Sequence, residues 1–172
     1  LFAGYYFGYD QGFKRPMEDS DSPGTNTQIT NFQECVGAGN VVLESYPRQC
    51  RTNDGKNFVE DIGNELEKAD FIRLESPRPN QIITSPLPLR GQARGTWYFE
   101  ATFPLVLADW DGRIIAESFA TAQEDWMTEE FVLFQGKLEF EKPEFGRKGY
   151  LILQKDNPSG LSENDDALEI PV

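Results

Sequence analysis

The sequence predicts a mainly β protein whose C-terminal part is a two-layer sandwich of about seven short strands. The first observation behind this is the stretch Gly95 to Leu107, the longest clean alternation in the chain. Trp97, Phe99, Ala101, Phe103, Leu105 and Leu107 share one face of a strand there, and Tyr98, Glu100, Thr102, Pro104 and Val106 share the other. The second is that short apolar runs separated by turn residues lie on both sides of it. The third is that helical spacing occurs only over Asp61 to Asp70, with Ile62, Leu66 and Ala69 predicted to dock one short helix on the larger domain.

In chain order, Leu1 to Phe13 is an aromatic segment with glycines at Gly4, Gly8 and Gly12. In an extended strand Leu1, Ala3, Tyr5, Phe7 and Tyr9 face one way, while Gly4 and Gly8 thin the other face. The same composition also suits the outer end of a membrane anchor, with its rings in the interfacial belt. Residues 14–30 are rich in Asp, Ser, Pro, Gly, Thr and Asn, a polar linker that cannot bury enough surface to fold alone. Residues 31–76 contain Cys35 and Cys50, a strand over Val41 to Leu43, turns at Tyr46-Pro47 and Asn53-Asp54-Gly55, and a returning strand at Phe58-Val59. This reads as a stapled hairpin followed by the short helix, too small for a core of its own.

The larger domain is expected over residues 77–172. Its strands are Ile82 to Thr84, Leu87 to Ala93, the Gly95 to Leu107 stretch, Arg113 to Thr121 after an Asp109-Trp110-Asp111-Gly112 turn, Phe131 to Phe140, Gly149 to Gln154, and Leu168 to Val172. Seven strands in about 92 residues describe an immunoglobulin-like β-sandwich, with a small barrel as the alternative.

Composition narrows the function. The 172 residues include 29 acidic and 16 basic ones, for a net charge of −13, which argues against nucleic acid or an anionic membrane surface as partner. There is no histidine, hence no Ser-His or Cys-His couple and no imidazole metal ligand. No paired acids stand out from the general acidity, so the chain is not expected to be an enzyme and needs no cofactor. With no further cysteine to complete a zinc site or a CxxC, Cys35 and Cys50 are either a disulfide or two free thiols, and a disulfide is the expectation. It would stabilise by ~3 kcal/mol on the chain-entropy estimate and place the chain in an oxidising, extracytoplasmic setting. The chain starts at Leu1 rather than Met, so it is expected to be either a processed mature chain or a fragment, with a signal peptide or a membrane anchor as candidates for the upstream part.

Four motifs occur in order: Asn80 to Leu87 (Asn-Gln-Ile-Ile-Thr-Ser-Pro-Leu), Arg94 to Ala101, Glu124 to Thr128, and Lys155 to Leu161 with Glu163 to Asp166 after it. Together they resemble the immunoglobulin-like domain associated with bacterial spore germination proteins, over Gln81 to Val172. Residues Phe32 to Asp70, with Glu44 to Cys50 and Asp61 to Lys68, are similar to a segment found before that domain in predicted bacterial surface proteins. The resemblance implies a non-catalytic extracytoplasmic module with no established ligand and no metal.

Three constellations could carry function. The loop Asp156 to Asp166 offers Asp156, Asn157, Ser159, Glu163, Asn164, Asp165 and Asp166, oxygen donors of the kind Ca²⁺ takes, although Asn-Pro and Ser-Gly turns call for the same residues. Trp97, Trp110, Trp126 and Tyr98 could stack on sugar faces, or simply pack the core and anchor loops. The glycine-spaced aromatic strand on its polar tether suits insertion into the sheet of a neighbouring copy. The chain is therefore expected to be an extracellular or cell-surface structural protein of bacterial type, a subunit of an assembly or filament joined by its N-terminal strand. The alternative is a membrane-tethered adhesion or ligand-binding module. The expected partners are other copies of the chain, then a cell-surface protein or polysaccharide, with a membrane contacted only through an upstream anchor.

Overall fold

In the computed structural model the described residues are 28–144 and 146–172. The first helix, α1 (Phe32–Gly37), is started by Asn31, whose Oδ1 accepts the Glu34 amide at 2.9 Å, while the Glu34 carboxylate takes the Thr30 amide at 2.8 Å. Three short antiparallel strands follow, β1 (Val41–Leu43), β2 (Gln49–Arg51) and β3 (Asn57–Val59), side by side in that order. Phe32, Cys35 and Cys50 form a small buried cluster against which Ile29, Val42 and Phe58 pack. The Cys35–Cys50 disulfide, with Cα atoms 6.0 Å apart, ties α1 to β2. The expected hairpin is thus a three-stranded sheet with a helix on it. Tyr46-Pro47 reverses the chain completely, and β2 takes the place beside β1 that the returning strand was assigned.

The next helix is shorter than its spacing predicts. It covers only Glu65–Lys68 (α2), and Leu66, expected to dock it, is 56% exposed. Ile62 is buried as expected, but the residue that α2 turns inward is Glu65.

The sandwich consists of β4 (Ile72–Ser76), β5 (Leu87–Arg94), β6 (Thr102–Asp109), β7 (Ile114–Ala122), β8 (Phe131–Leu138), β9 (Gly149–Gln154) and β10 (Ala167–Pro171). Neighbours run antiparallel in the order β10-β9-β6-β7-β8-β5-β4. β10 and β4 end the order without pairing with each other, so the barrel alternative falls. The sheet turns a corner at β7. That strand pairs with β6 from Ile114 to Thr121, but with β8 only at Ala120, Thr121 and Ala122. One layer is β10-β9-β6-β7 and the other is β8-β5-β4, with the core between them. Across it the Phe103 and Phe134 rings meet edge to face, 5.0 Å apart, and both are essentially inaccessible to water.

Two strand assignments are corrected. Ile82 to Thr84 is irregular, with Ile82 90% exposed; the missing strand is β4, whose Ile72 and Leu74 are buried between outward-facing charges. The sheet therefore starts ahead of residue 77. The Gly95 to Leu107 stretch is not one strand. Gly95–Trp97 is a 3-10 turn, and Phe99 and Thr102 exchange backbone hydrogen bonds at 3.0 Å around Glu100 and Ala101, both at positive φ. That tight turn sends the chain from one layer to the other. Trp97, Phe103, Leu105 and Leu107 still point inward, but Phe99 is 40% exposed and Tyr98 is buried, its hydroxyl donating to the Val132 carbonyl at 2.8 Å.

Candidate functional site

The candidate sites of the sequence do not gather in one place. The assembly strand Leu1, Ala3, Tyr5, Phe7 and Tyr9 lies outside the described residues. Trp97 and Tyr98 are in the core, Trp126 is partly buried against it, and Trp110 is 63% exposed in the β6–β7 turn. Four aromatic residues so dispersed form no common stacking face. In the Asp156 to Asp166 loop the donors serve one another: the Asn157 side-chain amide donates to the Leu161 carbonyl at 2.7 Å and to Asp165 at 2.8 Å, and Asn164 donates to the Ser159 hydroxyl at 3.0 Å. Asp166 pairs with Lys68 at 2.5 Å. Among the described residues no cluster of acidic or cysteine side chains is arranged to hold a metal ion, and no helix is long and apolar enough to cross a membrane.

Buried charge concentrates where the small module meets the sandwich. Glu60 accepts the Arg48 guanidinium twice, at 2.8 and 2.5 Å, and Asn80 at 3.3 Å. Arg48 holds the Glu60 carboxyl below the usual range by these bonds, outweighing the opposing effect of burial. Glu65 takes Arg78 at 2.6 Å and the Tyr46 hydroxyl, and Arg78 also donates to the Leu74 carbonyl at 2.6 Å. Burial of the Tyr46 phenol, reinforced by its hydrogen bond to Glu65, raises its pKa above the ordinary value. Both carboxylates are thus committed to guanidinium partners; the bonds of Glu65 and Tyr46 to Arg78 and of Glu60 to Asn80 cross from the module and make the arrangement a latch between two parts of the chain.

The latch also covers a sheet edge. Asn64 bonds to β10 with its backbone and both ends of its side chain, and the Asn80 amide donates to the Pro171 carbonyl at 2.7 Å. At the other end of the order, Arg78 caps the Leu74 carbonyl of β4. Among the described residues nothing covers the corner at β7 in this way. A concavity of about 730 Å³ lies there, lined by Ser85, Pro86, Ile115, Glu139, Phe140 and Glu141. A smaller one, about 390 Å³, lies on the outer face of β6, β7, β9 and β10 and includes Val106, Ala108, Ile114, Tyr150 and Ile152.

The sequence model of the family described as the immunoglobulin-like domain of bacterial spore germination matches residues 71–162, more than half of the chain. The chain belongs to this family. The matched span opens beside β4 and runs through β9, so the family's domain includes the strand ahead of Pro77. The disulfide-tied module lies outside the span, as does β10, the strand on which that module is latched. No curated protein and no solved structure matches the chain.

Neither the latch nor the open corner was read from the sequence. Asn64 and Glu169 are far apart along the chain, and nothing local marks them as partners. The open corner depends on how far β7 and β8 run together, a property of topology that strand patterns do not encode.

Proposed function

We propose that this chain is a non-catalytic structural protein of the cell surface or extracellular space, a subunit of an assembly whose copies are joined by insertion of the Leu1 to Phe13 strand. The observation that carries the reading is the unequal treatment of sheet margins. β10 is bonded by Asn64 and Asn80, whereas β7 leaves β8 after a few residues and borders an open concavity. An uncovered strand edge is a template for a further strand. The chain itself carries a segment of alternating apolar side chains on a polar tether. The disulfide supports an oxidising, extracytoplasmic location. A second reading, a membrane-tethered adhesion or ligand-binding module, draws on the apolar outer-face concavity.

Light scattering on size-exclusion fractions tests the proposal. Mass above that of one chain, rising with concentration and lost on deletion of Leu1 to Phe13, is the expected result. One-chain mass at all concentrations, with and without the segment, would refute it in favour of the tethered module.

A further inference from the structure

Resting on the strand-insertion reading above, we infer that the acceptor is the seam where β7 parts from β8, and that its occupant is the Leu1 to Tyr9 segment of a second copy. Backbone pairing marks the seam. β7 and β8 are paired only at Ala120↔Gly136, Thr121↔Gln135 and Ala122↔Phe134, so among the described residues the one strand paired with β7 between Ile114 and Phe119 is β6. The Ala122 amide bonds on the β6 side, to the Ala101 carbonyl in the turn ahead of β6, and the Gln123 amide bonds toward β8 through the Leu133 carbonyl. Antiparallel alternation then turns the backbone groups of Glu117 outward, toward the place a further strand would occupy, whereas the Phe119 carbonyl already lies against Gly136 of β8.

Among the described residues the inner face of β7 is only partly covered. Ala116, Ser118 and Ala120 lie opposite Leu107, Leu105 and Phe103 on the core side of the β6–β7 pair. Ala120 is fully buried, but Ala116 and Ser118 are only half-buried. Cover over the core thus falls away along β7 toward the concavity lined by Ile115 and Phe140. Small side chains on that face leave room for larger ones from outside. The chain's own supply of such side chains is Leu1, Ala3, Tyr5, Phe7 and Tyr9, on one face of a segment long enough to run beside Ile114 to Phe119.

Placement favours a second copy as the source of the strand. The aromatic segment joins the described chain just ahead of α1, in the module latched to β10, and β10 and β7 are opposite margins of one layer. Donor root and acceptor on opposite margins make a heterologous contact, which repeats head to tail from copy to copy. Charge agrees: Lys14 and Arg15 follow the segment, and the seam carries Glu139 and Glu141, with Glu139 already sharing Lys137 at 2.7 Å.

The test is cross-linking between full-length chains bearing different tags. One carries Tyr5→Cys and the other Ser118→Cys, and Cys35–Cys50 is checked by peptide mass after oxidation. The expected result is a mixed disulfide carrying both tags, about tenfold more abundant than with Ile82→Cys as acceptor, because insertion raises the local concentration of the pair. Ser118→Trp, which fills the seam, is expected to abolish assembly while the melting curve of the single chain is unchanged. If assembly needs the segment but the link forms with Arg73→Cys on β4 instead, the seam is overturned and the assembly reading stands. If a chain carrying both Tyr5→Cys and Ser118→Cys closes on itself as a monomer, the second copy is overturned as occupant. If no link forms and no assembly is seen, both readings fall.

Discussion

Asn64 and Glu169 exchange two hydrogen bonds in the manner of residues on adjacent strands: the Glu169 amide donates to Asn64 Oδ1 at 2.8 Å, and the Asn64 amide donates to the Glu169 carbonyl at 3.1 Å. The Asn64 side-chain amide adds a third bond, to the Ala167 carbonyl at 2.9 Å. One residue thus supplies to β10 what a further strand would supply, and closes that margin of the sandwich.

Replacing Asn64 by Ala should leave an amide and a carbonyl of β10 without these partners. Loss of about 1–3 kcal/mol in urea denaturation is expected, with faster hydrogen exchange at Glu169. Gly63→Ala should cost more than Asn64→Ala, because Gly63 sits at φ +65° and an added Cβ would collide with the Glu169 carbonyl.

The latch should respond to acid with a definite sign. Folding holds the Glu60 carboxyl below its ordinary 4.5, so between its folded value and 4.5 the unfolded chain binds more protons. The Glu60 contribution is therefore present above pH 4.5 and is lost as pH falls through the folded value. Melting temperature followed against pH should show that decline, and Glu60→Gln should flatten it.

At the alkaline end Tyr46 works in the other direction. Its phenol stays protonated in the folded chain above pH 10, where the unfolded chain ionises, so stability should fall as pH rises beyond 10. Tyr46→Phe should reduce that slope, the remainder coming from the buried Tyr98 phenol, measured by the same melting series, and should lower stability at neutral pH through loss of the bonds to Glu65 and Arg78.

Removing the disulfide should separate the two parts of the molecule. The cluster around Phe32, Cys35 and Cys50 is small, and a bridge closing a loop of this size contributes about 3 kcal/mol on the chain-entropy estimate. Cys35→Ala with Cys50→Ala should unfold residues 28–60 while the sandwich keeps its cooperative transition. Limited proteolysis followed by mass spectrometry would show early cuts confined to the module.

Strand patterns were legible where a residue's face is set by its immediate neighbours. Leu87, Leu89, Gly91 and Ala93 of β5, and Val132, Phe134 and Leu138 of β8, are buried as their spacing predicts. α1 was missed because its stability comes from the Asn31 cap and the disulfide cluster rather than from an apolar stripe, although Asn31-Phe32-Gln33-Glu34 carries the cap's signature. The Gly95 to Leu107 stretch misled because its break falls at Glu100 and Ala101, residues that rarely adopt positive φ. β4 was overlooked because Ile72 to Glu75 is a short alternation just ahead of Pro77. The alternation of the proposed donor segment is a local pattern of the sequence and lies outside the described residues, whereas the seam between β7 and β8 exists only once the layers are paired.

Electron microscopy of the purified full-length chain beside the same chain lacking Leu1 to Phe13 tests the central claim most directly. Strand insertion gives head-to-tail filaments or chains of particles that require the segment and vanish without it. Identical single particles in both preparations would contradict it.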